Sequence, residues 1–119
     1  MQYLTSLDAL FLHRDEPETP RHIASLAILD PGETPLDYDS LIKVINDRID
    51  LVPRYRQIPR KVPGGLGLPV WTDDDHFDMS LHVRRSALPK PGTREALNDL
   101  VSRLIARPLD HDRPLWELY

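Results

Sequence analysis

No cysteine occurs among the 119 residues. That absence excludes a disulfide scaffold, a thiol nucleophile and any thiolate metal site. Basic residues are outnumbered, with 15 Lys and Arg against 19 Asp and Glu and a formal charge of −4. Nucleic acid demands a basic footprint, so this balance speaks against such a partner. No apolar run approaches the length of a membrane span, and no secretory signal opens the chain. A cytoplasmic setting is therefore expected. What the chain does have is proline, 12 residues of it, too many for a bundle of long uninterrupted helices. Hydrophobic residues make up 40%, enough for a core, and 13.7 kDa is room for one domain or a piece of a larger one.

The prolines fall between periodic segments. Ser6 is expected to cap a short helix whose apolar face carries Leu7, Leu10 and Phe11, ending at Asp15-Glu16-Pro17. Residues 21–30 read as a strand. Ile23, Ser25, Ala27 and Leu29 lie on one face, and His22, Ala24, Leu26 and Ile28 on the other. Both faces are largely apolar, which predicts a central strand covered on two sides. Pro31-Gly32 turns the chain. Residues 39–51 form a helix with Tyr38, Leu41, Ile42, Ile45, Ile49 and Val52 in one stripe, capped by Asp37 or Asp39 and ended by Pro53. Residues 54–77 read as short strands around a Pro63-Gly64-Gly65 turn, with Val70-Trp71 as an edge strand. Residues 78–86 alternate, placing Met79, Leu81 and Val83 inward and Ser80, His82 and Arg84 outward. Thr93 is expected to cap a helix striped by Leu97, Leu100, Val101, Leu104 and Ile105 and ended near Arg107-Pro108. The final segment, from Pro114 to Tyr119, reads as a strand with no turn or polar tail after it, so the chain looks cut. Alternating helices and strands define an α/β pattern.

The residues offer few complete chemical constellations. An EF-hand beginning at Asp73 would need glycine at its sixth position and glutamate at its twelfth, where Asp78 and Arg84 stand. The run Asp73-Asp74-Asp75-His76-Phe77-Asp78 is better read as a solvated turn, and no metal site is expected. Gly65-Leu66-Gly67 lacks the third glycine and following helix of a dinucleotide loop, and no nucleophile elbow surrounds any serine. The five histidines, His13, His22, His76, His82 and His111, have no i, i+4 pair for zinc. His82, on a polar strand face, has no evident partner to orient it as a base. Arg54, Arg56, Arg60 and Lys61 cluster around Tyr55 and could meet an anion such as a nucleotide phosphate; a solvated face is the plainer reading. Asp110-His111-Asp112-Arg113-Pro114-Leu115-Trp116 is the most distinctive stretch, with Trp116 more naturally a core residue than a ligand contact.

Several stretches, in order, resemble the bacterial wax ester synthase/acyl-CoA:diacylglycerol acyltransferases, especially the triacylglycerol synthase type. They are Ser6-Leu7-Asp8-Ala9-Leu10-Phe11-Leu12, Thr19-Pro20-Arg21-His22-Ile23 with Leu29-Asp30-Pro31, and Val52-Pro53-Arg54-Tyr55-Arg56. Gly64-Gly65-Leu66-Gly67-Leu68-Pro69-Val70-Trp71, His82-Val83-Arg84-Arg85 and Arg107-Pro108-Leu109-Asp110 follow, and Arg113-Pro114-Leu115-Trp116-Glu117 closes the set. Arg21 and Ala24 stand where that family often has methionine and glycine.

The resemblance implies an α/β (α+β) fold, the N-terminal portion of the N-terminal half of a CoA-dependent, chloramphenicol acetyltransferase-like two-half enzyme. It implies a long-chain acyl group moved from acyl-CoA to diacylglycerol or a long-chain alcohol, in triacylglycerol or wax ester synthesis. No cofactor is implied, acyl-CoA being a substrate. The family's His-His-x-x-x-Asp-Gly motif supplies the base that activates the acceptor hydroxyl. Neither a His-His pair nor an Asp-Gly dipeptide occurs here, so the motif is expected beyond Tyr119 and the 119 residues alone are expected to be inactive. Pro114, Leu115 and Trp116 are the expected substrate-channel or structural residues. The remainder of the enzyme is expected as a second polypeptide, and peripheral attachment to a membrane or lipid-droplet surface is a further expectation. A condensation-type domain acting on a carrier-bound acyl group and a non-enzymatic interaction module are the alternatives.

Overall fold

A computed structural model describes residues 2–119. Three strands form an antiparallel sheet in the order β1-β3-β2, with β1 at Gln2–Tyr3, β2 at Gln57–Arg60 and β3 at Val70–Asp73. Gln57 pairs with Asp73 and Arg60 with Val70 across one side of β3, while Gln2 pairs with Trp71 on the other. The Val70-Trp71 strand is therefore central rather than an edge, because the N-terminal residues add a ladder that local pattern does not reveal. Pro59 donates no amide and is tolerated because β2 lies at the edge.

Four helices accompany the sheet. Helix α1 spans Ser6–Arg14, and Thr5 rather than Ser6 is its cap, the hydroxyl accepting from the Asp8 amide at 3.1 Å. Its Leu7, Leu10 and Phe11 are exposed rather than packed. Helix α2 spans Tyr38–Arg48, capped by Asp37, whose carboxylate accepts the Ser40 amide at 2.7 Å. Those hydrogen bonds from Ser40 hold the Asp37 carboxyl below its ordinary value. The α2 stripe turns inward as expected and runs into a 3₁₀ turn at Ile49–Leu51, where Ile49 is buried; Val52 is left exposed. Helix α4 spans Arg94–Ile105, with Thr93 accepting the Ala96 amide at 3.1 Å and Leu97, Leu100, Val101 and Leu104 turned partly inward.

Two expected strands take other forms. Residues 78–86 do not extend. Asp78 accepts both the amide and the hydroxyl of Ser80 and caps a single turn, α3, at Met79–His82. Local capping here overrides alternation, and it rotates His82 into the interior at 3% exposure beside Val83 at 0%. Residues 21–30 form no ladder, and Ile23 and Ile28 stand 97% and 75% exposed. The apolar pattern for a covered strand is present, but no neighbouring strand is offered among the described residues. The C-terminal segment is likewise no strand, and its ladder pairing among the described residues is a single parallel bridge between Val83 and Leu118. The radius of gyration is 16.9 Å, against about 13.5 Å for a compact domain of this length. Its buried apolar residues, Leu4, Ile49, Ile58 and Val83, make a small core between the sheet, the end of α2 and α3. Among the described residues, no helix is long and apolar enough to cross a membrane.

Candidate functional site

A cleft of about 850 Å³ lies between α1, residues 21–26, α4 and the C-terminal segment. One wall is the inward stripe of α4, where Leu97, Leu100 and Leu104 stand at helical spacing over roughly 10 Å of axis. Leu12 of α1, Leu115 and Trp116 also line the cleft. Pro114 is buried. Of the three residues expected at a channel, Leu115 and Trp116 thus line the cleft, and Pro114 does not.

Trp116 is held from several directions. Its indole Nε1–H donates to the Tyr55 carbonyl at 2.8 Å. Its ring meets Tyr55 edge-on at 5.5 Å and stacks on His82 at 4.7 Å, and Phe77 stacks on both, at 5.1 Å from His82 and 6.5 Å from Trp116. The Trp116 carbonyl accepts from His82 Nδ1 at 2.8 Å. The main chain then continues into two bonds, the Leu118 amide to the His82 carbonyl at 2.7 Å and the Arg84 amide to the Leu118 carbonyl at 2.8 Å. The basic cluster is absorbed by the same region. Arg54 lies over the Trp71 ring at 4.0 Å, and Arg56 covers Phe77 at 4.7 Å while bonding to Asp50 at 3.0 Å. Two of its four cations thus serve as aromatic covers.

The polar end of the cleft is built around Asp15. Its side chain is 11% exposed and accepts from His111 Nε2 at 2.6 Å and from the Arg21 amide at 2.6 Å. Burial pushes the Asp15 carboxyl up, but the Arg21 amide, the His111 hydrogen bond and charge, and the His22 charge together hold it below its ordinary value. His22 donates Nε2–H to the Ile105 carbonyl at 2.8 Å, and its Nδ1 is buried without a partner. His111, Asp15 and His22 come from three separate stretches, and nothing in local spacing announces the constellation. The acidic run 73–78 plays the turn role expected of it. Asp74 accepts the His76 amide, and Asp78, held low by its bonds from Ser80, caps α3.

Known proteins give this arrangement a context. The sequence profile of the wax ester synthase/diacylglycerol acyltransferase catalytic domain matches residues 4–119. A "probable diacylglycerol O-acyltransferase", tgs3, of Mycobacterium tuberculosis is 47% identical over 116 residues, covering 98% of this chain and 43% of that protein. A second from the same organism, tgs1, is 39% identical over 123 residues, covering 100% of this chain and 26% of that protein. The solved wax ester synthase/diacylglycerol acyltransferase of Marinobacter aquaeolei VT8 superposes with a TM-score of 0.73 at 28% identity, over 98% of this chain and 28% of that one. The chain thus spans less than half the length of the relatives it matches.

Proposed function

The chain belongs to the wax ester synthase/diacylglycerol acyltransferase family, and on that premise we propose that it is the N-terminal part of an O-acyltransferase acting on long-chain acyl-CoA. The acceptor is diacylglycerol or a long-chain alcohol, and the product a triacylglycerol or wax ester. The observation that carries this reading is the cleft itself, lined by Leu97, Leu100, Leu104, Leu115 and Trp116 together with the polar Asp15, His22 and His111. Its volume of about 850 Å³ suits an elongated apolar ligand. An apolar wall offers a long acyl chain escape from water in proportion to the area it covers.

The chemistry is attack of an acceptor hydroxyl on a thioester carbonyl, with the proton leaving the hydroxyl to a base and the thiolate of CoA departing. Three of the five histidines each hold a structural contact through one ring nitrogen. His82 Nδ1 is spent on the Trp116 carbonyl, His111 on Asp15 and His22 on Ile105. No His-His pair occurs among the 119 residues, which supports a base supplied outside them, in the His-His-x-x-x-Asp-Gly motif of the family. The contribution of this chain is the cleft and the placement of the Pro114-Leu115-Trp116 wall. Attachment to a membrane or lipid-droplet surface fits an acceptor that resides in lipid, and the exposed Leu7, Leu10 and Phe11 of α1 favour it.

The test is product analysis. Full-length protein is incubated with labelled long-chain acyl-CoA and either diacylglycerol or a long-chain alcohol, and lipids are separated. Labelled triacylglycerol or wax ester is expected. Label found only in free fatty acid would reject the acyltransferase reading.

A further inference from the structure

His82 is buried in the core yet lies outside the cleft, and the acyl-transfer reading leaves it without a role. We propose that His82 is a positioning residue for acyl binding, its Nδ1–H fixing the Leu115–Trp116 wall through the Trp116 carbonyl. The inference rests on the acyltransferase reading and assigns a specific group to it.

Four observations carry it. A carbonyl oxygen only accepts, so the 2.8 Å contact places the ring proton on Nδ1. The ring lies in a three-ring cluster, stacked on Phe77 at 12° and on Trp116 at 21° while those two rings also stack on each other, which restricts its freedom to swing away. The same residue grips the segment twice, by side chain at Trp116 and by its own carbonyl at the Leu118 amide. Finally, the indole on the other side of that peptide is pinned to the Tyr55 carbonyl, so the Trp116 ring and main chain are fixed from opposite ends.

Stacking alone does not require histidine. Phenylalanine would keep the ring contacts with Phe77 and Trp116, but it would leave the Trp116 carbonyl without its donor. Asparagine would do the reverse, since its side-chain amide nitrogen reaches the position of Nδ1 while the ring surface is lost. These two substitutions separate the donor from the ring.

The experiment uses full-length protein with His82→Phe and His82→Asn. Two quantities are read: hydrogen exchange of the peptide spanning residues 114–119, and KM and kcat for long-chain acyl-CoA. In His82→Phe, exchange in that peptide and KM are both expected to rise roughly threefold to tenfold, the weight of one net hydrogen bond, with kcat changed less than about twofold. His82→Asn is expected to bring both back to within about twofold of the wild type. Equal damage from both variants would overturn the proposal by making ring volume the cause. Faster exchange with unchanged KM would also overturn it, since His82 would then be a structural residue only. If the wild type turns over no acyl-CoA, the functional reading fails, and exchange alone judges the anchor: loss in Phe with retention in Asn supports it, equal loss refutes it.

Discussion

Replacing Trp116 by alanine removes the centre of the aromatic stack, and the structure sets the size of the effect. Truncating a fully buried tryptophan costs about 3–5 kcal/mol. Trp116 is only part-buried, so the lower end applies to its lost area. Its indole N–H bond to Tyr55 contributes about 1 kcal/mol of that, and each stacked partner about 0.5–1.5 kcal/mol. A loss of about 3 kcal/mol is a large part of a typical margin of about 5–15 kcal/mol. It should lower the melting temperature by roughly 10 °C. Trp116→Phe keeps the stack on His82 and forfeits mainly the N–H bond, so it should cost about 1 kcal/mol. The assay is a melting curve beside acyl transfer for each variant in the full-length protein. Alanine should lower stability and turnover together, and phenylalanine should retain most of both. If Trp116→Ala melted like the wild type yet lost all turnover, the scaffold reasoning would be refuted and direct substrate contact would replace it.

Other perturbations address separate parts of the account. Asp15→Asn should destabilise by about 1 kcal/mol at pH 7, since one charge-assisted bond is lost to a partly exposed His111. Because the folded carboxyl lies below its unfolded value of about 3.9, that stabilisation is full above the unfolded value and is lost as pH falls through the folded one, so denaturation curves of the two proteins should converge in acid. Thr93→Ala removes the α4 cap and should cost about 1 kcal/mol by chemical denaturation; no change would mean that the Ala96 amide finds water as readily. Ile28→Ser should change the unfolding free energy of residues 1–119 by less than about 0.5 kcal/mol, because the side chain is exposed. The same change in full-length protein should cost about 2 kcal/mol or more if residues 21–30 are covered there, and equal effects in both would show that they stay exposed.

The parts of the fold that were legible in the sequence are those fixed by neighbours in the chain. The α2 and α4 stripes repeat at helical spacing, and Asp37 and Thr93 stand where a cap is needed, so both helices follow from local chemistry. Ladders are different, because a strand is defined by its partner. Residues 21–30 carry the pattern of a doubly covered strand and pair with nothing among the described residues, while Gln2–Tyr3 gives no pattern and still pairs with Trp71. At residues 78–86, a periodicity of two competed with an aspartate cap and lost, and His82 went from the expected solvent face to the core. The same holds for the site. Pro114, Leu115 and Trp116 stood out as a motif, but Tyr55, Phe77 and His82 meet Trp116 from distant positions, and Asp15 meets His111 across nearly the whole chain. Such contacts have no local spacing by which to be read.

The proposed division of labour between these residues and the rest of the protein is open to one direct measurement. Residues 1–119 are purified and assayed for CoA thiol release from long-chain acyl-CoA in the presence of diacylglycerol, first alone and then as part of the full-length protein. With no His-His pair in its sequence, the 119-residue chain should release no thiol above background, while the full-length protein turns over. Diacylglycerol-dependent turnover by residues 1–119 alone would contradict the account, because one of the histidines described here would then be the base.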